Sequence, residues 1–546
     1  MHDVRHRRAR APARGDAPLA TVVQRAVGGG ALLVVLGILV APRMSTFRYS
    51  APTAALALAA AVALALVAAR LVRRRLEIAP RHWDIAAGVL CVLLTAVAAV
   101  FAYAGAYKTT WDPQIVEMTA AHPSSAVAVL YFSVYPNMEP LYVVARAVRS
   151  VTGGTGIDYA GAFAALNTVS LLATAVLLYV TVRRLAGPAR GVLALLAMTA
   201  LLGTSSWLSV PYTDMLAEWT PIAAIALVAP ALRGGGTTGT VVRSAAAGVV
   251  LAIGYVLKVT PVIGLVALVA TLAVTATGHR RVRGRLAQVG ISAVLAFAAT
   301  VPALDAGIRS ADHLPPLQSE WAATPLTYMA EGFRVQRSIQ QGPLLYGAFD
   351  RTIVDRTRRK DTAAQNAIAW RFIRQEWHRR GLLGTVRFEA HKMLFNWGDG
   401  TFWARGEGHD AIAPPLRHGP LVSAVLSWNA PSGRLFRLQV LFLQVTWTAV
   451  LLALGVGLVR SRFRPELLLM ALTVVGIAAF TLLFQGRSRY VLVHVPVVIA
   501  LAACVVPLPP RTRRLELTRT DPPALAPVPH VVDSTERTAL GTESSA

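Results

Sequence analysis

Six short stretches of the chain carry residue types suited to chemistry. Trp111-Asp112-Pro113 sets a carboxylate behind a long apolar run, and Glu117 follows five residues after the aspartate. Such an aspartate has two readings. As a helix N-cap with proline at N1 it accepts from orphan amides, and the proline needs no partner. Held at a membrane–water interface beside a tryptophan, it can take a proton from an acceptor hydroxyl as a general base. Glu117 and Asp214 are secondary candidates for that role; Asp214 lies in Val210-Pro-Tyr-Thr-Asp214, where it or Thr213 could equally cap the next helix. Tyr131-Phe-Ser-Val-Tyr-Pro-Asn137 reads as a rigid interfacial turn that sets Tyr135 and Asn137 to position an acceptor, and Tyr212 and Asp399 are placed in the same role. Lys258 interrupts an apolar stretch from Ala245 to Val274, where a lysine either finds a functional partner or snorkels at a tight turn. Phe484-Gln-Gly-Arg487-Ser-Arg489-Tyr490 holds a pair of guanidinium groups, which bind phosphate bidentately; with Lys258 they are the candidate phosphate site. A plain lipid headgroup contact is the alternative for that pair.

The elements that must carry these residues are membrane helices. Of 546 residues, 55% are hydrophobic and 15% charged, with mean hydropathy +0.51, whereas a soluble chain carries about 25% charged residues. Runs such as Ala54–Leu71, Ile85–Phe101 and Leu286–Leu304 are as long as a helix needs to cross the hydrocarbon core. A soluble enzyme and a disulfide scaffold are excluded, since Cys91 and Cys504 both fall inside apolar runs. The net charge of +26 comes almost wholly from arginines that punctuate the apolar runs, so no nucleic-acid partner is expected.

Cations in short loops stay on the cytoplasmic side. Applied loop by loop, this rule puts Arg5 to Arg14 and the segments 70–81, 183–190, 233–243, 279–285, 460–464 and 511–519 inside. About twelve spans satisfy all of them, near 22–42, 51–72, 83–103, 158–182, 189–206, 216–232, 241–257, 259–277, 287–305, 436–459, 465–484 and 490–507. The expected protein is an all-α polytopic protein of the plasma membrane with both termini cytoplasmic. A basic N-terminus covers 1–21, the membrane domain 22–507, and a tail without apolar periodicity 508–546, expected to be disordered. Two long outer segments remain, 104–157 and 306–435, and long connections of this kind tend to be functional. Within the second, 363–380 reads as an amphipathic surface helix. Besides Arg43 and Arg48, only Arg487 and Arg489 fall on the outer side in a short loop, against the charge rule.

The order of the motifs resembles the GT-C superfamily of integral-membrane glycosyltransferases, in particular the bacterial branch similar to dolichyl-phosphate-mannose protein mannosyltransferases. It is carried by Trp-Asp-Pro, Tyr-Pro-Asn, Tyr-x-Asp, Gly254-x-x-x-Lys258-x-x-Pro261, Asp399-Gly400-Thr401 and Gly-Arg-x-Arg-Tyr over residues 83–505. The resemblance implies a polyprenyl-phosphate sugar donor, an active site on the outer face and a catalytic aspartate matching Asp112. The expected acceptor is a glycan, lipid or protein of the cell envelope, with membrane lipids as further partners. The chain departs from the pattern in two ways: two spans precede the one that leads into the catalytic loop, and the paired acidic motif is absent. No cofactor is certain; a divalent cation, Mg or Mn, is left open, with its ligands unknown. One base and fixed cations suffice for transfer from a lipid phosphate, so inversion is expected. A transporter or lipid-linked-sugar flippase is the rival reading, since many carriers are polytopic with an intramembrane lysine; a non-catalytic scaffold is a third.

Overall fold

The computed structural model describes residues 18–506, apart from 42–50, 75–78, 124, 154–155, 157, 234–236, 279–282, 312–313, 315–316, 338–343 and 405–413. The expected basic stretch before Pro18, Arg43, Arg48 and the tail after Val506 lie outside the described residues.

Three long apolar helices open the chain: α1 (Pro18–Val40), α2 (Ala51–Arg74) and α3 (Pro80–Ala104). Three shorter ones follow, α4 (Asp112–Ala121), α5 (Ala126–Val134) and α6 (Glu139–Thr152). A central run comprises α7 (Tyr159–Ala186), α8 (Pro188–Leu202), α9 (Thr213–Ala217), α10 (Trp219–Leu232), α11 (Thr237–Leu257), α12 (Val262–Gly278) and α13 (Arg283–Arg309). Next come α14 (Pro325–Gly332), strands β1 (Val335–Arg337) and β2 (Leu344–Tyr346), α15 (Arg351–Thr357), α16 (Thr362–Trp397) and α17 (Pro420–Asn429). The chain closes with α18 (Phe436–Arg460), α19 (Pro465–Leu483), α20 (Arg489–Leu492) and α21 (Val495–Val505).

Eight helical segments among the described residues are long and apolar enough to cross a membrane: α1, α3, α7, Thr213–Leu232, Gly239–Leu257, α13, α18 and α19. This is fewer than the twelve expected. The other four expected spans fall on shorter apolar stretches among the described residues, Ala55–Ala68 within α2, Pro188–Leu202, Val262–Ala276 and Val495–Val505. In the apolar window of α18, 67% of residues are buried inside the protein, against 6% for α13, so α18 is central and α13 faces outward with Ile291 and Leu295 exposed. Lipid offers apolar side chains no reason to leave it, so helices in a bilayer gain most from close contact through small residues. At the crossing of α1 and α18, a Cβ added to Gly28 would lie 2.9 Å from the carbonyl oxygen of Gly455, a separation only glycine allows.

The two long segments between spans, 104–157 and 306–435, are not open loops. The first is folded into α4, α5 and α6. The second closes small cores of its own, one around Tyr346, Phe388, Phe395 and Trp403 and another around Ala330, Ile353, Ala369 and Ile373. Its apolar residues are too sparse to span a bilayer yet dense enough to bury one face of each helix. A short antiparallel hairpin, with Val335 opposite Tyr346, qualifies the all-α expectation. Over 363–380 the expected amphipathic helix exists as the first half of α16, before a break at Gly381 (φ 63°). Its faces are split: Ile373 is buried, while Trp370 and Trp377 stay exposed. The two segments meet at one end of the bundle, where Tyr107 bridges Pro415 and the amide of Ala323 donates to the carbonyl of Val134 at 2.9 Å.

Candidate functional site

Both capping expectations are corrected. Trp111 occupies the N-cap of α4 with extended backbone (φ −132°, ψ −149°), which puts Asp112 at the first helical position, where its side chain makes no cap bond. Its half-buried carboxylate accepts instead from the hydroxyl of Tyr212, Oη to Oδ2 3.0 Å. Tyr212 takes the cap position of α9 in the same way, and this frees Asp214. Asp214, fully buried, pairs with Lys258, Nζ to Oδ2 2.9 Å. Lys258 therefore does not snorkel: only 11% of its side chain is accessible. Burial pushes its ammonium below the ordinary lysine range, with Asp214 opposing that shift.

Aromatic rings join these carboxylates to the cations. The Lys258 ammonium lies 5.1 Å from the ring centre of Tyr212 and 5.2 Å from that of Tyr490. The Arg489 guanidinium lies 5.0 Å from the ring of Trp111, 5.3 Å from Tyr212 and 5.3 Å from Tyr490. Arg487 sits 5.5 Å from the ring of Trp403. Both arginines are 7% exposed, and Nε and Nη1 of Arg489 are buried with no hydrogen-bond partner among the described residues. Burial, with Arg489 beside it, lowers Arg487 to about 10, so both stay charged at neutral pH. Unfilled charged donors in a desolvated site are costly, and an anion is the group that fills them.

The remaining candidates divide. Burial chiefly raises the hydroxyl pKa of Tyr135, with Asp112 and Glu331 among the charges around it; its ring lies 5.3 Å from that of Tyr131. Asn137 is exposed on a single turn of 3₁₀ helix. Glu117 pairs with Arg149 at 3.7 Å, whose guanidinium rests on the ring of Tyr159, outside the aromatic cluster. Asp399 accepts from the amide and hydroxyl of Thr401 (2.9 and 2.6 Å), the amide of Trp403 (3.0 Å) and the hydroxyl of Ser488 (2.7 Å). It is a tie between the outer segment and the arginine connection, and it stabilises the positive φ of Phe402 and Trp403.

Sequence reasoning missed Glu331, at the end of α14 and 2% exposed. Burial and the neighbouring Asp350 push its carboxyl well above the usual range, while Arg487 opposes that shift. Its surroundings, Met-Ala-Glu-Gly, contain no local signal. Trp403, Tyr490 and Ser488 were also missed as site residues, although Tyr490 directly follows the arginine pair. No group of three or more His, Cys, Asp or Glu that could hold a metal occurs among the described residues. Asp112 and Asp214 are not placed as a shared ligand pair, one being engaged with a hydroxyl and the other with an ammonium.

A helical chain with several membrane-length segments and a polar, cation-rich cluster where its two long connecting segments meet is a multi-pass integral membrane protein. It belongs to a family described as conserved hypothetical integral membrane protein, whose model matches residues 43–508. No curated protein and no solved structure matches the chain.

Proposed function

We propose that the protein is a membrane glycosyltransferase of GT-C-like architecture that moves a sugar from a polyprenyl-phosphate donor to a cell-envelope glycan, lipid or protein. The observation that supports this best is the placement of Arg489, with its unfilled buried donors, against Trp111 and Tyr212, the residues that precede and hydrogen-bond Asp112. A base and an anion site thus share one aromatic wall.

In the proposed reaction Asp112 accepts the proton of the acceptor hydroxyl as its oxygen bonds to the anomeric carbon. The bond from that carbon to the phosphate oxygen breaks, and its electron pair leaves with the lipid phosphate. Arg487 and Arg489 stabilise the developing charge, and Lys258 adds a third cation. Burial and Asp112 keep the Tyr212 hydroxyl protonated, so it donates to the carboxylate and fixes its direction. One displacement inverts the anomeric centre; retention would call for a second carboxylate about 5–5.5 Å from the first. Asp214 does not fill that role, since it is committed to Lys258. In this reading the four shorter apolar helices complete twelve spans, both termini are cytoplasmic and the cluster faces outward at the plasma membrane.

Incubation of purified protein with radiolabelled polyprenyl-phosphate sugars and cell-envelope extract, with and without chelator, tests the proposal. Transfer of label is expected, and the chelator arm decides whether Mg or Mn takes part. Uptake or flipping by proteoliposomes with no transfer would overturn it in favour of a carrier.

A further inference from the structure

The connection from Phe484 to Ser488, between α19 and α20, carries Arg487 and leads into Arg489 at the start of α20, and a buried cation from a distant part of the chain grips it. Lys392, in the second half of α16, is fully buried. Its Nζ donates to the carbonyl oxygens of Gly332, Leu482 and Phe484 at 2.8, 2.6 and 2.8 Å. An ammonium has three protons, and these three acceptors take all of them. Leu482 and Phe484 stand at the C-terminal end of α19, where carbonyls lack partners within the helix and the dipole favours positive charge. Gly332 ends α14, so one side chain joins α14, α16 and the arginine connection.

Further ties act on the same connection. The amide of Gly486 donates to the carbonyl of Gly347 at 2.7 Å. Ser488 donates to Asp399, and Asn396, one turn after Lys392, donates to the carbonyl of Thr481 at 3.2 Å. Gly347 itself has φ +70°, and a Cβ there would collide with Cε of Lys392. The same Cβ would lie 2.5 Å from the carbonyl oxygen of Gly332, so the glycine lets β2, α14 and Lys392 approach closely.

We propose that Lys392 is a positioning residue: by gathering the carbonyls of Gly332, Leu482 and Phe484 it fixes the connection that turns Arg487 and Arg489 toward Asp112. It acts through the backbone of that connection and touches no ligand. The functional half of this inference rests on the reading of the arginines as lipid-phosphate ligands; the structural half does not.

The full-length protein in lipid nanodiscs, as wild type, Lys392→Met and Gly347→Ala, supplies the test. Hydrogen–deuterium exchange of peptides covering 482–492 reads the grip directly. Polyprenyl phosphate titrated against tryptophan fluorescence reads the arginines, since Trp111 and Trp403 stack on them. In Lys392→Met, exchange over 482–492 is expected to rise roughly tenfold while α18 stays unchanged. Affinity for polyprenyl phosphate should fall roughly tenfold, with kcat at saturating donor within about threefold of wild type. Gly347→Ala keeps the charge but crowds Lys392, and it should move the same peptides in the same direction even where Lys392→Met fails to fold. Wild-type exchange over 482–492 in the folded variants, or a loss of kcat at unchanged donor affinity, would overturn the inference. Absence of polyprenyl-phosphate binding by the wild type would instead count against the donor reading, and the exchange measurement would still decide the role of Lys392.

Discussion

At the scale of single residues, the site turns on the different surroundings of its carboxyl groups. Asp112 accepts a hydrogen bond from Tyr212, while burial and Asp350 push the carboxyl of Glu331 well above the usual range. The two should therefore respond oppositely to amide substitution. If the proposed transfer holds, Asp112→Asn removes its base without changing shape, and transfer should drop by at least about a hundredfold, the lower end of what general-base catalysis contributes, with membrane insertion unchanged. The upward shift of Glu331 favours its neutral form, whose shape Glu331→Gln keeps, so transfer should stay within about threefold of wild type. Radiolabel transfer by the two variants side by side checks both; equal losses would mean that Glu331 works as an anion. Sequence pointed to Asp112 through its neighbours Trp111 and Pro113 but misjudged its local role, because one residue of extended backbone at Trp111 moves the cap. Glu331 was illegible for a different reason: only the distant packing of Asp350 and Arg487 makes it unusual.

At the scale of elements, the ion pair between Asp214 and Lys258 ties the start of α9 to the connection between α11 and α12. A buried pair costs desolvation when it forms, so its removal is expected to be asymmetric. Loss of one partner strands a charge and should cost about 3–5 kcal/mol, whereas replacing both with uncharged residues of similar shape should restore most of it. Thermal unfolding in detergent of Lys258→Met, Asp214→Asn and the double variant measures this. Single variants as stable as wild type would mean that the pair is wetter than its burial indicates. Lys258 was noticeable in sequence because an apolar stretch surrounds it, but its partner lies 44 residues earlier and no periodicity links the two. The same limit applied to the outer segments: their length marked them as functional, while their helices and hairpin emerge only once sparse apolar residues such as Ile353, Phe388 and Trp403 find one another.

At the scale of the whole molecule, the bilayer itself made the sequence readable. A helix must present enough apolar residues to cross about 30 Å of hydrocarbon, so the helices around 83–103, 158–182 and 436–459 were expected close to where they stand. The same rule marked the four shorter apolar stretches, which differ in setting: Val495–Val505 is buried and preceded by the short α20, whereas Ala55–Ala68 keeps Leu56, Leu64 and Leu66 exposed. What the site requires is that the turns carrying Asp112, Asp214 and Arg489 share one side. The ring of Trp111 beside Arg489, and Tyr212 beside both, join these turns in the folded chain. In the proposed orientation the charge rule puts Arg183 and Arg184, which end α7, on the cytoplasmic side, at the opposite pole from its start at Tyr159. Single cysteines placed at exposed Asn137 and at Arg184 separate the two poles, because Cys91 and Cys504 lie in apolar helices and should react poorly with a charged reagent. In intact cells a membrane-impermeant maleimide should label Asn137→Cys at once and Arg184→Cys only after permeabilisation. The reverse order would put the cluster on the cytoplasmic face, where a nucleotide sugar and not a lipid-linked one would be the accessible donor.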